Sequence, residues 1–371
     1  MYINFWYPVI LSEELKDEPV KVRMLGQNFV TFRDSKGAPK TLSDTCVHRG
    51  GSLSGGVVRG DCIQCPYHGW RFDGEGECKR IPSLGKDAKI PKRTRIDAYP
   101  TEEKYEIVFA FLGDLEKSKR PPIMPIAELD DEEGWRANWL NYEAKINFER
   151  SIENGLDAAH NEFVHPTHGF SGAKNDYKVN PTQITKVDRG ADFEQLFDAA
   201  PPLDEETYGE TARKSEGELT VWGGYRGPNT LITLIHTKKE SNWFHQYFFE
   251  QPINEFKTKI FFISMRNWLL DEKMDDMIME RNMAVADQDI ALLTELRPAL
   301  TPPTLTKEIF VPADLIIGEY RSSLDEFTKK GFKIDTQKVK ETQHQTAYAI
   351  PSPARKKEKS WVLDPVPLIK E

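Results

Sequence analysis

The sequence is poor in cysteine, with four in 371 residues. A secreted disulfide framework needs a denser set, so these thiols read as reduced and free for metal. Long apolar runs are missing too. Nothing approaches the ~20 residues that span a bilayer, and the closing SWVLDPVPLIKE is broken by Asp364 and two prolines. The opening MYINFWYPVILSEEL has no positive leading region and meets acid by Glu13, so it reads as an amphipathic strand and turn rather than a signal peptide. There is no excess of positive charge. A formal net charge of −9 argues against nonspecific nucleic-acid binding, which needs a basic surface. Neither G-x-G-x-x-G nor a plant-type ferredoxin cysteine run occurs, so no segment supplies a flavin or nicotinamide site. What remains, 39% hydrophobic and 29% charged, describes a globular chain of about two domains, expected in the cytoplasm and away from membranes.

Two of the four cysteines stand in CVHRGGSLSGGVVRGDCIQCPYHGW, from Cys46 to Trp70. Cys46 pairs with His48 and Cys65 with His68, and sixteen residues separate His48 from Cys65. Tetrahedral zinc accepts two thiolates and two imidazoles, but zinc fingers put like ligands in one couple. Here each couple is mixed. In a Rieske [2Fe-2S] centre two cysteines hold one iron and two histidines the other, so each loop gives one ligand to each iron. The neighbouring glycines suit loops that fold closely round a cluster. Cys62 and Cys78 read as ordinary packed thiols.

Residues 1–115 read as short strands, including a hairpin about Ser35-Lys36-Gly37 and a buried strand YEIVFAFLG. EKSKRPPIMP, residues 116–125, reads as a hinge. NYEAKINFERSIENGLDAAHNEFVHP is expected as one helix ending near Pro166. Residues 215–270 are strand-rich, with His236 and His245 flanking the turn KKESN. Residues 271–296 read as a long helix and 321–360 as a solvated extension. The expected class is α+β: an all-β module over 1–115, then an antiparallel sheet with long helices over 116–371.

A second constellation lies in NGLDAAHNEFVH, residues 154–165. Oxygenases with non-heme Fe(II) use two histidines and one carboxylate, leaving positions open for dioxygen. His160 and His165 are five apart, which on an ideal helix separates them by about 140°. Either the helix ends or unwinds at His165 because of Pro166, or a π-bulge restores the register. Asp157, three before His160, reads as an acceptor for the free N–H of His160 rather than a ligand. Periodicity selects the third ligand. Ile278, Val285, Leu292 and Leu296 form an apolar stripe in the 271–296 helix, with Asp289 on it and Asp287 about 200° away in water. Burying an unpaired carboxylate is costly, so Asp289 is the expected ligand. The remaining histidines read as ordinary turn or strand residues.

With both motifs in this order, the sequence resembles the oxygenase component of Rieske non-heme iron oxygenases over about residues 1–300, and their monooxygenase and demethylase branch in particular. That resemblance implies a helix-grip catalytic domain around a mononuclear Fe(II) and a head-to-tail homotrimer. His68 of one subunit would hydrogen-bond Asp157 of the next, and Asn154 would lie near the iron. It further implies a separate ferredoxin or flavin reductase and O2-dependent hydroxylation or oxidative demethylation of a small, largely apolar substrate. The competing readings are a Rieske-type electron carrier without its own chemistry and a zinc-stabilised binding protein.

Overall fold

A computed structural model describes residues 1–369 except 87, 131–132, 181, 201, 203–216 and 238–241. The turn expected at KKESN lies mostly outside the described residues. Two compact units emerge: Met1–Ile123 with Gln251–Asn254 and Phe327–Glu371, and Met124–Glu250 with Glu255–Glu326. The change of unit at Ile123 falls inside the proline-rich 116–125 stretch rather than at 115.

In the first unit, β1 (Phe5–Leu11) pairs with β11 (Ile107–Leu112), which also pairs with β10 (Thr101–Lys104). All of β11 is buried, as its unbroken apolar run requires. β1 is buried along nearly its whole length, not on one face only, which corrects the amphipathic expectation. A four-stranded sheet follows, β2 (Val20–Met24), β3 (Gln27–Arg33), β4 (Pro39–Ser43) and β9 (Ala98–Tyr99). The β3–β4 hairpin closes over the predicted Ser35–Gly37 turn. A second four-stranded sheet, β5 (Val57–Arg59), β6 (Cys62–Gln64), β7 (Arg71–Asp73) and β8 (Cys78–Arg80), carries the cysteine-bearing loops.

The C-terminal stretch does not behave as a solvated extension. Ile350 and Ser352 are fully buried. Asp97, itself 0% exposed, accepts from the Ser352 hydroxyl at 2.8 Å and from both arms of Arg355 at 2.7 Å. A buried carboxylate needs such compensation, so residues beyond 326 are part of the first unit.

The second unit is a seven-stranded sheet whose registered pairs are all antiparallel, in the order β12-β18-β17-β16-β15-β14-β13. Its strands are β12 (Arg136–Ala144), β13 (Gln183–Val187), β14 (Gly190–Ala200), β15 (Gly217–Arg226), β16 (Thr230–Thr237), β17 (Trp243–Asn254) and β18 (Lys257–Arg266). The helix expected from Asn141 begins later. Asn141–Ala144 belong to β12, and α1 is Phe148–Leu156. Asn147 starts it, its side chain accepting from the Glu149 and Arg150 amides. After α1 the chain unwinds over Asp157–His160, and a four-residue helix, α2 (Asn161–Val164), precedes Pro166. The long helix α3 spans Asp275–Leu293, and α4 is Leu315–Lys329. Gly155 lets α1 approach β16 closely, since a Cβ there would lie 2.1 Å from Leu231 Cδ2.

Candidate functional site

The first site is built by two loops of like conformation. In the β4–β5 loop the Gly50 amide donates to the Cys46 carbonyl and the Cys46 amide to the Gly51 carbonyl, both at 2.9 Å. In the β6–β7 loop the Gly69 amide donates to the Cys65 carbonyl at 3.0 Å and the Cys65 amide to the Trp70 carbonyl at 2.8 Å. Gly50 and Gly69 both take φ +70, a left-handed value that glycine adopts freely. The loops present their donors in layers. Cys46 and Cys65 are each 2% exposed, His48 is half-buried and His68 exposed. The two imidazoles lie 4.4 Å apart by ring centroid, and His48 stacks flat on Trp70. Burial and the adjacent Cys65 thiol push Cys46 up to about 12. His48 moves the other way, lowered by desolvation, His68 and Arg49. Its buried Nδ1 has no hydrogen-bond partner.

An orphaned imidazole nitrogen and two buried thiols beside two imidazoles fit a cluster held by two sulfurs and two nitrogens. Gly51 leaves room for it: a Cβ there would come within 3.2 Å of Cys65 Sγ. Cys62 is half-buried on β6 and Cys78 buried on β8, both free thiols outside the two loops.

The second site is in the other unit. Unwinding after Leu156 places His160 at the start of α2 and His165 just past its end, with φ −113, ψ 72. The helix therefore breaks on both sides of the pair, and no π-bulge is needed. His160 Nε2 and His165 Nε2 converge to 3.0 Å, and Asp289 Oδ1 lies 3.6 Å from the first and 3.3 Å from the second. Two metal–nitrogen bonds of ~2.1 Å at a right angle would hold their nitrogens ~3.0 Å apart. Asp289 Oδ1 is buried without a hydrogen-bond partner, as suits an oxygen that ligates a metal. The donor set is the two-histidine, one-carboxylate set that suits non-heme Fe(II).

Surrounding groups hold these donors. Burial would raise Asp289, but His165, His160 and a hydrogen bond from Asn154 outweigh it and keep its carboxyl low. His165 Nδ1 meets Gln288 Oε1 at 3.0 Å, and Thr167 Oγ1 donates to the same oxygen at 3.2 Å. Gln288 had no signal of its own in the sequence. Asp157 Oδ2 is 3.9 Å from His160 Nδ1, an electrostatic contact and not the hydrogen bond expected. The two residues also do not share a helix face, because Asp157 caps α1 with an extended ψ of 117. Asp287 is exposed, as expected. The apolar stripe of α3 is shifted, however: Leu292 is 43% exposed and Leu293 buried. The inward row runs Ile278, Asn282, Val285, Asp289, Leu293.

The triad opens into a cavity of about 330 Å³ whose walls are mainly apolar, with Phe193, Leu231, Phe244, Phe248, Phe262 and Leu293 among them. His168 also lines it, and burial lowers its pKa to about 3, so it is neutral. Of the aromatic residues on β15–β18, Phe244, Phe248 and Phe262 face the cavity. His236 and His245 do not. Their Nε2 atoms meet at 2.6 Å on the other face of the sheet, where Glu128 accepts from His245.

One chain thus presents mixed Cys/His hairpins and a two-histidine, one-carboxylate site, the two metal centres of a Rieske-type iron oxygenase. Residues 5–100 match the Rieske [2Fe-2S] domain, and residues 144–330 match the Vanillate O-demethylase oxygenase C-terminal domain. The chain belongs to the Rieske oxygenases. It is 36% identical to the 4beta-methylsterol monooxygenase of Methylococcus capsulatus over 70% of this chain and 67% of that protein. It is 31% identical to the oxygenase component of 3-ketosteroid-9-alpha-monooxygenase of Rhodococcus rhodochrous, over 62% and 57%. Cholesterol 7-desaturase nvd 1 of Ciona intestinalis is 34% identical over 47% of this chain and 37% of its own length. Across these three the match thus spans between 37% and 67% of the relative. In fold, NdmA of Pseudomonas putida CBB5, solved with caffeine, superposes with a TM-score of 0.71 at 23% identity, covering 86% of this chain and 89% of that one. The family carries a [2Fe-2S] cluster and a mononuclear non-heme iron. No helix among the described residues is long and apolar enough to cross a membrane.

Proposed function

We propose that this chain is the oxygenase component of a cytoplasmic system that hydroxylates or oxidatively demethylates a small, largely apolar organic molecule with O2. The observation that carries it is the convergence of His160, His165 and Asp289 on an apolar cavity, in a chain that also bears the Cys46/His48 and Cys65/His68 loops. A Rieske carrier without its own chemistry has no use for such a triad, and a zinc-stabilised binding protein has no use for mixed couples. When bound, the cluster supplies single electrons and the mononuclear iron supplies dioxygen activation.

In this reading Cys46 and Cys65 would hold one iron of the cluster and His48 and His68 the other. His160, His165 and Asp289 would hold the mononuclear iron. Asn154 orients the Asp289 carboxylate, Gln288 fixes the His165 tautomer, and the aromatic walls exclude water from the reacting carbon. With two electrons from the reductase and two protons, one oxygen atom of O2 would enter a C–H bond as a hydroxyl and the other would leave as water. On an N- or O-methyl carbon the product collapses to formaldehyde and a demethylated amine or alcohol. The names of the sterol- and ketosteroid-acting relatives favour a polycyclic substrate.

Electrons come from a separate ferredoxin or flavin reductase. The exposed His68 is the cluster ligand available to a neighbouring chain, which supports a head-to-tail homotrimer in which Asp157 of the next subunit receives it. The test is anaerobic reconstitution followed by iron and acid-labile sulfide analysis, then turnover of a sterol panel with a surrogate reductase under ¹⁸O2. Three irons and two sulfides per chain with labelled product are expected. Stoichiometric zinc in a colourless protein would sink the proposal.

A further inference from the structure

Three side chains that line the cavity keep a buried atom without a hydrogen-bond partner among the described residues: His160, Asp289 and Glu250. The first two belong to the triad. Glu250 does not. It stands on β17, where Phe244, Gln246, Phe248 and Glu250 alternate into the cavity. Its residue exposure is 1%, its Oε1 accepts from the Ser151 hydroxyl of α1 at 2.6 Å, and its Oε2 has no partner. A carboxyl placed in apolar surroundings with one oxygen unmet is an unfavourable arrangement unless a ligand completes it. Burial outweighs the Ser151 hydrogen bond and raises its pKa to about 8, so near neutral pH it is a carboxylic acid that both donates and accepts.

We propose that Glu250 is the substrate's polar anchor: its free Oε2 hydrogen-bonds a hydroxyl or carbonyl oxygen on an otherwise apolar, compact polycyclic molecule. This rests on the oxygenase reading of the cavity and narrows it to neutral alcohols and ketones. Hydrocarbons gain nothing from the acid, and they leave it unpaired. A site built to pair with an oxygen discriminates against an analogue that lacks it.

The experiment is equilibrium binding to the iron-loaded, cluster-bearing protein at pH 7. The probes are 5α-androstan-3β-ol, 5α-androstan-3-one, 5α-androstane and 3β-amino-5α-androstane. Glu250→Leu should weaken the alcohol and ketone by roughly 5- to 50-fold and leave the hydrocarbon unchanged or tighter. Glu250→Gln, which keeps shape and both hydrogen-bonding roles, should hold the alcohol within about threefold of wild type. Infrared difference spectra should show a protonated carboxyl band that shifts on adding the alcohol and is absent from Glu250→Gln. Equal weakening of all probes, or unchanged alcohol binding, overturns the proposal. So does an amine that binds tighter than the alcohol, a Gln variant that behaves like Leu, or failure of the wild type to bind any probe. A failure of the oxygenase reading looks different: the alcohol binds and discriminates as predicted, yet no reductase yields oxygenated product.

Discussion

Gln288 neither touches substrate nor coordinates metal in the proposed arrangement, so removing it isolates the support of a ligand from the ligand itself. Its Oε1 lies 3.0 Å from His165 Nδ1, which settles the proton there and leaves the Nε2 lone pair facing His160 and Asp289. Gln288→Ala removes that acceptor and also strands the Thr167 hydroxyl, 3.2 Å away. Loss of such an outer partner typically weakens metal binding 10- to 100-fold, or about 1.4–2.7 kcal/mol. Gln288→Glu should retain or tighten binding, because a carboxylate accepts the imidazole proton more strongly. The assay is mononuclear iron retained against a graded chelator, with the cluster absorbance as an internal control for folding. An Ala variant that holds iron as firmly as wild type, with Glu no better, would refute the claim that His165 is set from behind by Gln288.

Other perturbations separate site from scaffold. Asp289→Ala should lose the mononuclear iron and keep the cluster spectrum, while the exposed Asp287→Ala changes neither, as metal analysis would show. Cys65→Ser should do the reverse, bleaching the cluster absorbance while iron at the triad survives. Arg355→Leu leaves Asp97 buried with no cation, and chemical denaturation should show a loss of about 3–5 kcal/mol in the first unit. Gly155→Ala forces Leu231 away from α1, lowering stability by about 1–3 kcal/mol in the same kind of measurement and disturbing the cavity wall that Leu231 provides.

Much of the chemistry was legible in the chain because metal ligation restricts residue type and spacing together. Mixed Cys/His couples within glycine-rich loops have few other uses, and Asp289 could be chosen over Asp287 because a helix sends alternate residues to opposite sides. The buried strand Ile107–Leu112 and the strands of residues 217–266 followed from apolar runs and alternation. Three things depended on tertiary structure. The helix ends at His165, whose φ −113 and ψ 72 are not helical, and local sequence offered that end and a π-bulge without deciding between them. The C-terminal stretch, polar enough to read as solvated, is drawn in by Asp97 more than 250 positions away, a partner no local window contains. Glu250 and Gln288 owe their surroundings to chain crossings, since burial and pairing are properties of the assembled cavity rather than of any short segment.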